Sequence, residues 1–289
     1  MLFRSKTKAI FLAITAAALY ALSTPFSKLL MAKIPPSFMA GLLYLGAGIG
    51  MLPLCFIKNI TGKSNARKIV RQDLPYIIEM IVLDIAAPVL LMTALTKVSA
   101  ANISLINNLE IAATSVIAFL IFKEKISPRL WIGIILVSIA GILLSFEGSK
   151  SLSFSPYSVF AFLACIAWGF ENNCTRKLSD CDTPKIAMIK GIGSGTGAIF
   201  VALITGERAG FSSFIFLALL LGFFAYGLSV FTYIQAQRFL GAARTSSYYS
   251  ISPFISALLS IVIYGQFPGF AFCIALILMA AGTYIISKD

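Results

Sequence analysis

The 289-residue chain contains no histidine. That absence removes the HExxH zinc site of metalloproteases, the Ser-His nucleophile pair and any histidine proton relay. Charge is scarce: Asp, Glu, Lys and Arg make up 12% of the residues and only 11 are acidic, against about a quarter charged in soluble proteins. The five cysteines, Cys55, Cys165, Cys174, Cys181 and Cys273, form no CxxC pair. They give neither a zinc site nor a disulfide framework and are expected to be small buried residues. The glycine-rich GIGSGTG (191–197) lacks a following GK[ST], and no GxGD aspartyl motif accompanies Asp84. A phosphate loop is therefore not expected, and the glycines fit close helix packing instead. No enzyme, cofactor or metal is expected. With no ATP-binding motif, energy for any transport comes from a gradient or from exchange.

What remains is apolar. Hydrophobic residues make up 59% of the chain and mean hydropathy is +0.93, the composition of a polytopic membrane protein. A spanning helix needs about 20 mainly apolar residues. Ten stretches qualify: 9–31, 37–57, 74–97, 101–122, 129–146, 156–176, 184–205, 212–237, 243–265 and 268–286. The first follows basic residues as a signal peptide does, but it runs too long and meets no clear cleavage site, so it reads as a retained span. Connections are short, the longest being the basic IKNITGKSNARKIVRQD (57–73). With the N-terminus inside, 17 of the 23 Lys and Arg fall on the inner side. That bias places both termini in the cytoplasm of a multi-pass, cytoplasmic-membrane protein. It also accounts for the +12 net charge without nucleic acid.

The two halves resemble each other in order along the chain. YALSTPFSK (20–28) lies over WGFENNCTR (168–176), GAGIG (46–50) over GSGTG (193–197), and SAANISLINNLEI (99–111) over GAARTSSYYSISP (241–253). This divides one membrane domain into residues 1–150 and 151–289, each with five spans. Five is odd, so the second half enters from the opposite side: an all-α membrane protein of ten helices in two inverted five-helix repeats. Such symmetry suits alternating access, because exchanging the conformations of the halves turns an inward-facing state outward.

VSAANISLINNLEIAATSVIAFLIFKEKISPRLWIGIILVSIAGILLS (98–145), the matching segment 240–287 and the Trp-Gly opening of the second half together resemble the ten-helix EamA family of the drug/metabolite transporter superfamily. The resemblance covers nearly the whole chain. It implies a central cavity lined by spans 1–4 and 6–9, with spans 5 and 10 peripheral. The implied cargo is a small metabolite such as an amino acid, nucleoside, cofactor or conjugate. Of the acidic residues expected after the two fourth-span equivalents, Glu124 fits and Gln266 departs.

Four acids fall within spans: Glu79, Asp84, Glu110 and Glu171. A charge at the bilayer centre costs roughly 2.5–3.5 kcal/mol on insertion scales, so such residues face a cavity or a partner. Asp84 and Glu110 lie deepest and suit cation recognition or proton coupling, since low-dielectric surroundings favour a neutral carboxyl group. The structural alternative is an ion pair or an interhelical hydrogen bond. The repeat partners Tyr226 and Ser252 are uncharged, which predicts an asymmetric ligand. Asn107 shares a face with Glu110 at i−3, whereas Asn108 is directed away. Tyr248, Tyr249, Ser252 and Pro253 occupy the matching turn. In the second half, Trp168, Glu171 and Asn172 share a face, with Asn173 further round. Tyr20, Ser23 and Thr24 are their first-half equivalents. Glu171 pairs with Lys190 as a gate or as a structural ion pair, and it joins Asp84 and Glu110 as a candidate for proton coupling. Pro25, Pro88 and Pro253 are candidate helix breaks.

The reading is a secondary active transporter of a small organic metabolite, with amino acids or their derivatives first. A nucleoside or S-adenosylmethionine-like carrier comes second. The alternative of another class is a non-transporting receptor or lipid-interacting scaffold. The partners are the small-molecule substrate and membrane lipid, and monomer and homodimer both remain open.

Overall fold

A computed structural model describes residues 2–61, 67–121, 123, 127–144, 155–210, 213–240, 245, 248–249, 251–265 and 269–287. Glu124 and Gln266 lie outside the described residues. The protein is nearly all helical, and the only extended pairing among the described residues is a single bridge between Arg67 and Cys181. Six stretches are long and apolar enough to cross a membrane: Thr7–Leu30, Pro36–Ile57, Arg71–Leu95, Ala100–Leu120, Thr183–Ile204 and Ser213–Leu240. Shorter apolar helical stretches cover Trp131–Ala140, Ser252–Tyr264 and Phe272–Ile285.

Several spans are discontinuous. Helix α1 (Leu2–Tyr20) gives way at Ala21 and Leu22 to α2 (Ser23–Leu30). Pro25 explains the break: it has no N–H for a helical bond, and its ring crowds the carbonyl four residues back, that of Ala21. Helix α3 (Pro36–Thr61) and helix α4 (Leu74–Leu95) run unbroken, so Pro88 does not interrupt its span as expected. The fourth span divides into α5 (Ala100–Ile106) and α6 (Leu109–Leu120) without any proline. Around Asn107 and Asn108 the bonds tighten to three-residue steps, from Asn108 N–H to Leu105, Glu110 to Asn107 and Ile111 to Asn108.

Helices α7 (Pro128–Leu144), α8 (Tyr157–Leu178) and α9 (Thr183–Ile204) follow. Then α10 (Ser213–Gly222) joins α11 (Ser229–Leu240) through one π-helical stretch, Phe223–Leu228. Helix α12 (Ser252–Tyr264) has Pro253 in its first turn, where the missing N–H is harmless. Helix α13 (Phe270–Ser287) completes the described structure.

Helix α8 is the polar exception. It carries Glu171, Asn172, Asn173 and Thr175, and all four side chains are buried in the protein rather than facing lipid. Packing runs α3 along α9, α4 along α8, α1 along α11, α7 along α13, and α5 against α12. Glycine permits the first of these contacts. A Cβ added to Gly191 would stand 2.3 Å from the Gly48 nitrogen, and one on Gly195 would stand 2.6 Å from that of Leu45. Thus GIGSGTG is a packing stripe, as its small residues imply.

Candidate functional site

Three acids and one base meet inside the bundle. Lys190 on α9 places Nζ 3.1 Å from Asp84 Oδ2 on α4 and 2.8 Å from Glu171 Oε1 on α8. Asp84 is fully buried, while Glu171 and Lys190 are 2% and 6% exposed. One ammonium thus serves two carboxylates. Neutral donors complete the cluster: the Tyr44 hydroxyl donates to Asp84 Oδ1 at 2.7 Å, and the Thr175 hydroxyl donates to Glu171. Trp168 Nε1 in turn donates to the Tyr44 oxygen over a long 3.5 Å. Buried ions need such hydrogen bonds, because desolvation otherwise outweighs their attraction.

Glu110, in the first turn of α6, is held differently. Asn172 Nδ2 donates to its Oε1 at 2.7 Å and also reaches Thr114 Oγ1 at 3.3 Å. Among the described residues no lysine or arginine forms an ion pair with Glu110. Asn173 also ties α8 to α6, donating to the Thr114 carbonyl at 3.2 Å and to the Gly169 carbonyl of its own helix at 2.9 Å. Gly169 makes that approach possible, since a Cβ there would lie 2.9 Å from the Ala113 and Thr114 backbone.

A small cavity of about 50 Å³ is lined by residues of both groups. Glu110, Glu171, Asn172, Thr175 and Lys190 supply its polar wall, and Tyr20, Tyr44, Trp168, Tyr226, Tyr233 and Tyr249 its aromatic wall. The rings touch in series. Centroids are 4.9 Å apart for Tyr44–Tyr226, 5.6 Å for Tyr20–Tyr226, 5.7 Å for Tyr20–Tyr249 and 4.9 Å for Tyr233–Tyr249. Ser23 donates to the Tyr226 oxygen at 3.2 Å. A second cavity of about 10 Å³ adjoins Glu110, Tyr20 and Tyr249, with Asn107, Asn108 and Pro253 also in its wall. The wider turn of the π-helical stretch contains Tyr226, an irregularity often found at functional sites.

The model of the EamA-like transporter family matches residues 7–146 and residues 155–288. The chain belongs to this family. It is a multi-pass membrane protein of the drug/metabolite transporter superfamily, and a transporter family is not ordinarily one of enzymes. A protein of Methanothermobacter thermautotrophicus, named only as an uncharacterized transporter, is 26% identical over 94% of this chain and 84% of its own length. The uncharacterized transporter YyaM of Bacillus subtilis is also 26% identical, over 79% of this chain and 77% of its own. A crystal structure with 17% identity superposes with a TM-score of 0.72 over 97% of this chain and 96% of that one. At that identity the likeness speaks for the fold alone.

Of the residues singled out from the EamA sequence, Tyr20, Glu110, Trp168, Glu171, Asn172, Lys190, Tyr226 and Tyr249 line the larger cavity. Asp84 and Ser23 stand behind it, bonded to Tyr44 and Tyr226. Asn107 and Asn108 both line the smaller cavity. This corrects the helical-face argument that sent Asn108 away from Glu110. The chain leaves the α-helix at those two residues, so spacing by 100° per residue no longer applies.

Among the described residues, Tyr248 and Ser252 line neither cavity. Tyr248 is 36% exposed and Ser252 is buried. Sequence reasoning missed Tyr44, Thr175 and Tyr233. Thr175 continues the Trp168, Glu171 stripe at i+4, and Tyr233 falls two turns after Tyr226, so their spacing was a usable signal. Tyr44 had none beyond a polar tip in an apolar span. No group of three potential metal ligands occurs among the described residues.

Proposed function

We propose that this chain is a secondary active transporter that moves a small organic metabolite, first among them amino acids or their derivatives, across the cytoplasmic membrane by alternating access. Its termini lie in the cytoplasm, and Asp84, Glu110 and Glu171 are the groups through which a proton or an exchanged solute would couple. The observation that carries this reading is the buried Asp84–Lys190–Glu171 cluster and the nearby carboxylate of Glu110 on an aromatic cavity. Its walls come from both halves of the chain, with Glu110 from the first and Glu171, Asn172 and Lys190 from the second.

The packing supports the inverted repeat. Exchanging the halves maps the second and seventh spans, α3 and α9, onto each other. It turns the α4–α8 pair into the pair formed by α11 and α1. The cavity of about 50 Å³ has room for a few waters, whereas ligand pockets run to roughly 300 Å³ and more. Loading therefore requires the tyrosines and their helices to part, which is the motion alternating access demands.

The test is flux from proteoliposomes loaded with a labelled mixture of amino acids and their amine derivatives, with and without a pH gradient. At least one solute is expected to leave faster than from protein-free vesicles. Equal leakage of every solute in both kinds of vesicle would overturn the transport reading.

A further inference from the structure

The charge arithmetic of the site points to the kind of molecule it receives. Three carboxylates face one lysine, and Lys190 is already shared between Asp84 and Glu171. Among the described residues, Glu110 has the neutral amide of Asn172 as its hydrogen-bond partner and forms no ion pair with a lysine or arginine. An anion without an ion-paired cation is costly at this depth, so a carboxylate held in this way favours a proton or a cation that a ligand brings. Tyrosine rings surround the space beside it, and a ring face attracts a cation lying within about 6 Å of its centroid.

The adjoining small cavity adds hydrogen-bond acceptors. Asn107 Oδ1 and Asn108 Oδ1 are buried with no hydrogen-bond partner among the described residues. Both residues line the same wall as Glu110. Buried acceptors of this kind normally have a donor.

We propose that the site recognises a primary or secondary ammonium group, seated against Glu110 beside the rings of Tyr20 and Tyr249, with N–H bonds to Asn107 and Asn108. As the identity of a cargo, this rests on the transporter reading; as a binding site, it stands by itself. A carboxylate is not required and, among the described residues that line the cavities, finds no free cation, because Lys190 is committed to two acids. A quaternary ammonium keeps its attraction to the rings but has no N–H for the asparagines. The cargo class is therefore organic amines, including amino-acid derivatives whose carboxyl group is masked or lost.

The experiment is equilibrium binding and thermal stabilisation of the purified full-length protein in detergent. Five probes share one aromatic body: phenethylamine, its N-trimethyl derivative, 3-phenylpropionate, 2-phenylethanol and phenylalanine. Phenethylamine is expected to bind about tenfold or more tightly than the trimethyl derivative, the alcohol and the acid, the size of effect one good charged contact gives. Phenylalanine is expected to bind no better than phenethylamine. Glu110→Gln should remove the preference for the amine. Because the comparison among probes uses the unaltered protein, it stands even where that variant folds poorly.

Tighter binding of phenylalanine or 3-phenylpropionate than of phenethylamine would overturn the proposal. So would equal binding of all five, or no binding of any at millimolar concentration. Binding of the amine without flux in proteoliposomes would sink the transport reading and leave the ammonium site intact. Flux of a solute with no amine selectivity would do the reverse.

Discussion

Glu171 and Glu110 are both glutamates, both in spans, and both line one small cavity, yet the fold treats them differently. Glu171 is 2% exposed and bonded to Lys190 and Thr175, and Lys190 in turn holds Asp84. Glu110 is half-buried and meets one amide. The first belongs to a compensated cluster that joins α4, α8 and α9. The second forms no ion pair among the described residues. The contrast teaches that a membrane carboxylate is explained by its neighbours rather than by its depth: one of these is ion-paired between helices, and the other meets an amide.

The sharpest way to break this comparison is Lys190→Met. Removing the shared cation leaves two buried carboxylates facing each other without compensation, a change that costs roughly 3–5 kcal/mol in such pairs. The variant should unfold at clearly lower temperature in detergent, and adding Asp84→Asn with Glu171→Gln should recover most of the loss. Unchanged thermal stability of the single variant would show that the cluster does not hold these helices. Tyr44→Phe is a milder probe. It removes the hydroxyl that donates to Asp84 at 2.7 Å and should destabilise by about 1.5–3 kcal/mol, the range for hydrogen bonds to charged groups.

Glu110→Gln is expected to have the smallest effect on stability, within about 1 kcal/mol of the unaltered protein. Gln keeps an acceptor for Asn172 and removes a charge that has no partner. Its consequence should instead be functional, in amine binding and flux. A Glu110→Gln protein as unstable as Lys190→Met would erase the distinction between the two regions.

Much of the fold was legible because spans are written in composition. Apolar length marked Thr7–Leu30, Pro36–Ile57 and the other spanning stretches, and Pro25 marked a real break. Pro88 did not, since helix α4 absorbs it between neighbours. The break at Asn107 and Asn108 and the π-helical stretch around Tyr226 were not legible. Both depend on how neighbouring helices meet those turns, and neither has a proline or glycine signature at its centre. Within the site, the stripe Trp168, Glu171, Asn172 was readable from helical spacing because α8 is regular there. Tyr248, one residue from Tyr249, was assigned to the site along with it and is exposed.

By itself, the sequence determined a membrane protein of helices, its family, and the unusual presence of a few acids and amides in apolar spans. These follow from composition, period and order along the chain, which are local properties. Only the tertiary structure decided that Lys190 on α9 would serve Asp84 on α4 and Glu171 on α8 together, that Tyr44 would close the cluster, and that Glu110 would meet the Asn172 amide. The physical reason is that compensation of a buried charge is a relation between residues far apart in sequence, set by which helices the small residues allow to approach.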